Sequence, residues 1–153
     1  NGGVYIVPAF SGLGSPYWKS DARAVICGMS TNSDRRHIVR AAEEAIAYQI
    51  LDIFTDLCSV CGKIPRVYAD GGAKNDEFLM QFIADMLSTE ILPSDVEELS
   101  AMGACYASML YLGWIDEKWL KSRVHSKCFF PQMNVELREK NYSSWKRAIS
   151  MLL

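Results

Sequence analysis

Hydrophobic and polar positions fall into two periods along this chain. Val4-Tyr-Ile-Val7 is a short apolar run stopped by Pro8, and Ala24–Cys27 is a second run ending at Gly28. Their length and β-branched content predict strands. Between them, Ser11-Gly-Leu-Gly-Ser-Pro16 is made of turn residues, and Tyr17-Trp18 is expected to anchor that loop. From Ile38 the period lengthens. Ala41, Ala42, Ala45, Ile46, Ile53 and Leu57 recur at three- and four-residue spacing, with Arg36, Arg40, Glu43 and Glu44 on the other side. This predicts a long helix with an N-cap among Ser30-Thr-Asn-Ser33, a C-cap at Gly62 and a stop at Pro65.

The alternation then repeats. Arg66-Val-Tyr-Ala69 reads as a strand feeding Asp70-Gly71-Gly72. A helix follows from about Asp76 to Leu87, with Phe78, Leu79, Phe82, Ile83 and Met86 on its apolar face. Thr89–Leu92 is a further strand. Ser100 is a candidate cap for a helix from Ala101 to about Leu112, where Gly103, Ala104 and Ala107 would allow close approach to a sheet. A polar stretch, Asp116–Lys127, precedes a last helix carrying Tyr142, Trp145, Ile149 and Leu152. Strands alternating with helices predict an α/β fold, a mixed sheet with parallel members flanked by helices.

Composition narrows the class without changing the fold. The 153 residues are 50% apolar and 22% charged, enough for one domain that removes about 70% of its unfolded surface from water. With 16 basic and 18 acidic side chains, the net charge is −2 and no basic stripe stands out, so nucleic acid is not an expected partner. Apolar runs such as Ala101–Leu112 are too short for a membrane span, and no signal-peptide pattern is present. The five cysteines, Cys27, Cys58, Cys61, Cys105 and Cys128, fit packed, reduced thiols of the cytoplasm. Cys58-Ser-Val-Cys61 lacks the second ligand pair of a zinc site and ends a helix rather than opening one, so packing is expected of it.

The chemistry-bearing feature is Asp70-Gly71-Gly72. Glycines admit positive φ and let a ligand approach the main chain, and sites in such sheets form beyond the carboxyl ends of strands. Neither G-x-G-x-x-G nor G-x-x-x-x-G-K-[ST] occurs, which excludes a dinucleotide fingerprint and a P-loop. Asp76 and Glu77 suit a helix N-terminus but would repel a phosphate there. If a nucleotide binds here, its ribose or α-phosphate edge meets Gly71 and Gly72, with Asn75 or Asp76 facing the base or sugar; the alternative is that the glycine pair is only a turn leaving the strand. Lys74 could reach a phosphate as a point charge or lie solvated at a loop tip. His37 is expected at a helix start rather than as an acid or base, Trp18 as an anchored loop aromatic, and His125 without an evident partner.

Several segments together resemble one family. "GVYIVPAFSGLGSPYW", "DGGAKNDEFLMQFIADML", "LSAMGACYASMLYLGW" and "NYSSWKRAI" are similar, in order, to the C-terminal domain of the FGGY carbohydrate kinases, and within them to the glycerol kinases. "AVICGMSTNSDRRHIVRAAEEAIAYQ" is similar to the second FGGY signature, with Gly28, His37-Ile38 and Glu44 at its marked positions and Glu43 departing from it.

The resemblance implies a ribonuclease-H-like (actin-like ATPase) domain, here incomplete. Residues 1–153 would be the latter part of the nucleotide-binding C-terminal domain, with the N-terminal domain absent. It also implies transfer of the ATP γ-phosphoryl group to a polyol hydroxyl, glycerol to glycerol 3-phosphate, with Mg²⁺ neutralising charge and an Asp acting as base. Carried over by position, Gly71, Gly72, Ala73 and Asn75 or Asp76 would contact ATP or ADP. The family's Asn falls one place early in Lys74-Asn75-Asp76, which leaves two assignments open. No D-x-G-T loop occurs, so the metal ligands, catalytic Asp and polyol or sugar contacts are expected elsewhere, and this chain alone is expected to be inactive. Two alternatives stand: a kinase for another polyol or ketose, and a non-catalytic interaction module. Apolar surface left uncovered would favour a homo-oligomer.

Overall fold

The computed structural model describes residues 1–121 and 127–153. His125 and part of the polar stretch Asp116–Lys127 lie outside the described residues. The elements are β1 (Tyr5–Val7), β2 (Val25–Cys27), α1 (Arg35–Cys61), β3 (Arg66–Ala69), a 3₁₀ turn (Gly72–Asn75), α2 (Glu77–Leu87), β4 (Glu90–Pro93), α3 (Leu99–Tyr111), α4 (Glu117–Lys121) and α5 (Val135–Ser150).

Parallel and antiparallel pairing both occur, divided between two small sheets rather than joined in one. β1 and β2 form an antiparallel ribbon with Tyr5 opposite Cys27 and Val7 opposite Val25. β3 and β4 run parallel, Arg66 beside Glu90 and Ala69 beside Pro93. The outer edge of β4 is covered by Phe129, which exchanges backbone hydrogen bonds of 3.0 and 2.9 Å with Ile91. Among the described residues, the outer edge of β3 has no strand partner.

The core lies where α1, α2 and α5 meet these sheets. Tyr48 is its centre, stacked on Trp145 at 5.4 Å between ring centroids and edge-on to Phe82 at 5.6 Å. Leu79, Phe82, Ile83 and Met86 of α2 are buried as their spacing predicts, and Trp145 and Ile149 of α5 join them.

Helix α1 turns a different face inward from the one expected. Its buried residues are Ala41, Glu44, Ala45, Ala47, Tyr48 and Asp52, while Ile46, Ile53 and Leu57 are exposed. The helix is apolar on two sides, and small residues on the inner side let it lie close to its neighbours while Tyr48 fills the space beyond. Glu44, expected outside, is buried and accepts from Arg40 Nε at 2.6 Å and from Tyr48 Oη at 3.1 Å. The N-cap is Asp34, not Ser30–Ser33. Its carboxylate accepts from the N–H groups of Arg36 (2.9 Å) and His37 (3.3 Å), and the Asp34 N–H donates to His37 Nδ1 at 3.1 Å. Ser30 and Ser33 instead close a local turn through a 2.9 Å bond.

A buried carboxylate ties distant segments together. Asp52 of α1 accepts from Tyr17 Oη (2.8 Å), Tyr142 Oη (2.6 Å), Trp145 Nε1 (3.0 Å) and Lys146 Nζ (3.2 Å). The loop before β2 is thus anchored through Tyr17. Trp18 is not an anchor: it is 78% exposed at a positive φ of 52°. Burial, followed by the hydrogen bond and charge of Asp52, pushes the Tyr142 hydroxyl up to about 12. Asp85 of α2 does similar work at the other end, accepting from the N–H groups of Gln132 (2.7 Å) and Met133 (3.1 Å) ahead of α5.

Helix α3 departs most from expectation. It begins at Leu99 with no side-chain cap, so Ser100 lies inside it, and none of its residues is buried. Gly103, Ala104 and Ala107 face outward rather than against a sheet. Among the thiols, Cys27, Cys58 and Cys128 are partly covered, whereas Cys61 and Cys105 are exposed; all five are unpaired.

Candidate functional site

The carboxyl ends of the parallel strands lie side by side, held by the Ser94 N–H donating to Ala69 O at 2.8 Å. From Ala69 the chain leaves the sheet through Asp70 and Gly71. Gly71 has φ 91° and ψ 174°, a conformation open in practice to glycine alone. The 3₁₀ turn Gly72–Asn75 follows, closed by Lys74 N–H to Gly71 O and Asp76 N–H to Ala73 O, both 3.1 Å. Asp76 then caps α2, its Oδ1 accepting from the Leu79 N–H at 3.0 Å.

Gly72 differs from its neighbour. It carries no positive φ, and a Cβ built on it meets no heavy atom within 4 Å. Nothing in the fold of this chain requires glycine there. The main chain of residues 71–73 is accordingly bare and exposed at the mouth of the parallel pair.

The structure brings Gly71, Gly72, Ala73, Asn75 and Asp76 together in this one turn. Asn75 is exposed, and its side chain holds no hydrogen bond among the described residues. Asp76 is half-buried, with one oxygen committed to the cap. Lys74 is neither a solvated tip nor turned outward toward a phosphate. Its side chain is only 7% exposed and Nζ donates to Val96 O.

Acidic groups surround the helix start. Glu77, in the first turn of α2, is held below the usual carboxylate range by its hydrogen bond from Lys127. That end of α2 therefore favours its own dipole rather than an added anion. Alongside, the outward face of β3 and β4 and the start of α3 border an open groove of about 710 Å³. Tyr68, Leu92, Ser94, Val96 and Leu99 line it. Among the described residues, no three His, Cys, Asp or Glu side chains gather to hold a metal ion. His37 is engaged at the α1 cap, as its position suggested.

Asp52, Asp85 and Lys74 carry structural roles that spacing alone did not single out. The partners of Asp52, the Gln132 and Met133 N–H groups on Asp85 and the Val96 carbonyl at Lys74 all lie far along the chain, so local spacing offered no signal beyond the presence of a charged residue.

Residues 1–111 match the model of the FGGY family of carbohydrate kinases, C-terminal domain. Glycerol kinase 1 of Thermotoga maritima is 47% identical over 156 residues, covering 100% of this chain and 32% of its own length. The glycerol kinase of Haemophilus influenzae is 44% identical over 155 residues, covering 99% and 31% respectively. The crystal structure of Plasmodium falciparum glycerol kinase with ADP superposes with a TM-score of 0.92 at 38% identity, covering 99% of this chain and 31% of that one. A xylulose kinase from Lactobacillus acidophilus shares the fold, with a TM-score of 0.79 at 18% identity over 97% of this chain and 30% of that one. The chain thus spans about a third of the length of the curated relatives it matches. The ribonuclease-H-like, actin-like ATPase architecture is the one these neighbours share.

Proposed function

Because this chain belongs to the FGGY family of carbohydrate kinases, through its C-terminal domain, we propose that the turn Asp70–Asp76 is the nucleotide-contacting segment of a glycerol-kinase-like enzyme. Residues 1–153 are then the latter part of the nucleotide-binding domain. The outer edge of β3, which has no strand partner among the described residues, and the outward small-residue face of α3 support this reading, since both suit packing against further protein.

The observation that carries the proposal is Gly72. It has ordinary φ and open space where its side chain would be, so the absence of a side chain serves something other than the fold. A ligand approaching the backbone uses both features. In this reading Gly71, Gly72 and Ala73 offer main chain to the ribose or α-phosphate edge of ATP or ADP. Asn75 offers an amide donor and acceptor to the base or sugar, and Asp76 offers its uncommitted oxygen.

The reaction is transfer of the ATP γ-phosphoryl group to a hydroxyl of glycerol. Mg²⁺ neutralises phosphate charge when bound, and its ligands, the catalytic base and the polyol contacts are assigned to residues outside this chain. The relatives named glycerol kinase favour glycerol over another polyol or a ketose. No described helix is long and apolar enough to cross a membrane, and we place the protein in the cytoplasm. Val39, Ile46, Ile53 and Val60, exposed at seven-residue intervals along α1, support self-association as a homo-oligomer.

The test is an amide NMR titration of the full-length protein with ADP. Shifts centred on Gly71, Gly72, Ala73 and Asn75–Asp76 are expected, and phosphorylation of glycerol should follow on adding ATP and Mg²⁺. Unmoved resonances for that turn under saturating ADP would defeat the assignment.

A further inference from the structure

The glycine turn is not held by its own backbone alone. Lys74 Nζ donates to Val96 O and lies 3.4 Å from Asp70 Oδ1, with only 7% of the side chain exposed. Val96 belongs to the connection between β4 and α3. That connection is itself folded by Ser94, whose Oγ accepts from the Val96 N–H at 3.1 Å and donates to Val96 O at 3.2 Å. Ser94 N–H meanwhile binds Ala69 O at 2.8 Å, at the end of β3. The turn and the β4–α3 connection are therefore joined at two points, one at the strand end and one through Lys74.

Charge adds a second reason for a cation here. Lys74 is the single basic residue between Arg66 and Lys118, whereas Asp70, Asp76 and Glu77 lie in or beside the turn and Asp95, Glu97 and Glu98 lie in the β4–α3 connection that holds Val96. A polyanion approaching Gly71 and Gly72 meets this acidic surround, and only Lys74 offsets it from within the segment. Its ammonium is turned inward, so it acts by holding and by field rather than by touching a ligand.

We propose that Lys74 is a positioning residue for nucleotide binding. It ties the β4–α3 connection to the glycine turn, which keeps the Gly71–Gly72 main chain presented, and its charge lowers the repulsion that a phosphate-bearing ligand would meet. The proposal rests on the nucleotide reading of this turn.

The test compares Lys74→Met, Lys74→Gln and Lys74→Arg in the full-length protein, by calorimetric ADP titration and steady-state kinetics. Removing the charged donor in Lys74→Met should weaken ADP by about tenfold or more, because apparent affinity falls in proportion to the fraction of molecules that still hold the turn presented. The KM for ATP should rise while the KM for the acceptor stays constant, a split that general loss of stability would not produce. Lys74→Arg should restore most of the affinity, and Lys74→Gln, which keeps a donor without charge, should fall between. Should Lys74→Met not fold, Lys74→Gln still reports the charge contribution. ADP affinity in the Met or Gln variant within about twofold of the parent, with or without a lower melting temperature, would overturn the role of Lys74 and leave the site intact. A parent protein that fails to bind ADP would overturn both.

Discussion

Adjacent glycines in this turn should respond oppositely to the same substitution. Gly71 sits at φ 91° and ψ 174°, a region where a side chain costs about 1–3 kcal/mol. Gly71→Ala should therefore destabilise the protein by that amount, even though open space surrounds the built Cβ. Gly72 begins the 3₁₀ turn without positive φ, and its built Cβ also meets nothing within 4 Å. Gly72→Ala removes freedom from the unfolded chain without strain in the folded one, which should stabilise by about 0.4–1 kcal/mol. The added methyl group nevertheless occupies the face where the nucleotide would approach, and displacing a ligand phosphate or ribose by that margin should weaken ADP by about tenfold or more. Urea denaturation and ADP calorimetry on the same samples separate the two effects. A Gly72→Ala protein that binds ADP as tightly as the parent would refute the argument that a ligand keeps this position bare. One that loses stability would refute the claim that the fold makes no demand on it.

Other predictions follow from the buried groups and the helix caps. Asp52→Ala strands the fully buried Trp145 N–H and unpins Tyr17 and Tyr142. With the half-exposed Lys146 discounted for solvent, the cost should fall below the roughly 3–5 kcal/mol of a fully buried pair, to about 2–3 kcal/mol for the stranded indole N–H and the two phenol hydrogen bonds, and a loss below about 1 kcal/mol in urea denaturation would contradict the network reading. At the start of α1, the Asp34 carboxyl is held at about 2, first by its hydrogen bond from Arg36, which outweighs the opposing effect of burial, and then by the N–H groups of His37 and Arg36. Its folded pKa is below the unfolded value of about 3.9, so its stabilisation is present above about pH 4 and is lost as pH falls through about 2. A carboxyl ¹³C titration should find that midpoint, and Arg36→Ala should move it toward the ordinary range. A midpoint near that of a free aspartate in the parent would refute the capping geometry.

The sequence by itself determined the order of the longer elements, though not the short helix α4 inside a stretch read only as polar, together with the strand Arg66–Ala69, the inner face of α2 and the residues of the glycine turn. These are local: a strand needs a short apolar run, a helix a repeating stripe, and a strained turn a glycine at the strained position. The family, too, was legible, because several ordered segments carry it rather than one motif.

Tertiary structure decided what depends on partners far along the chain. Apolar residues occupy two sides of α1, so periodicity could not say which side faces inward; packing of Tyr48 against Phe82 and Trp145 chose the small-residue side. Sequence pattern places Glu44 on the polar side of α1 and does not single out Asp52, yet a carboxylate can be buried when donors from other elements converge on it. For Asp52 those donors come from residues 17, 142, 145 and 146. Lys74 follows the same rule. Its neighbours in sequence suggest an exposed tip, but Val96 brings a carbonyl within reach only after β4 has paired with β3. Local composition can state which residues are able to bend, cap or carry charge, whereas the assignment of a charge to water, to a core or to a site waits on which distant groups the fold brings to meet it.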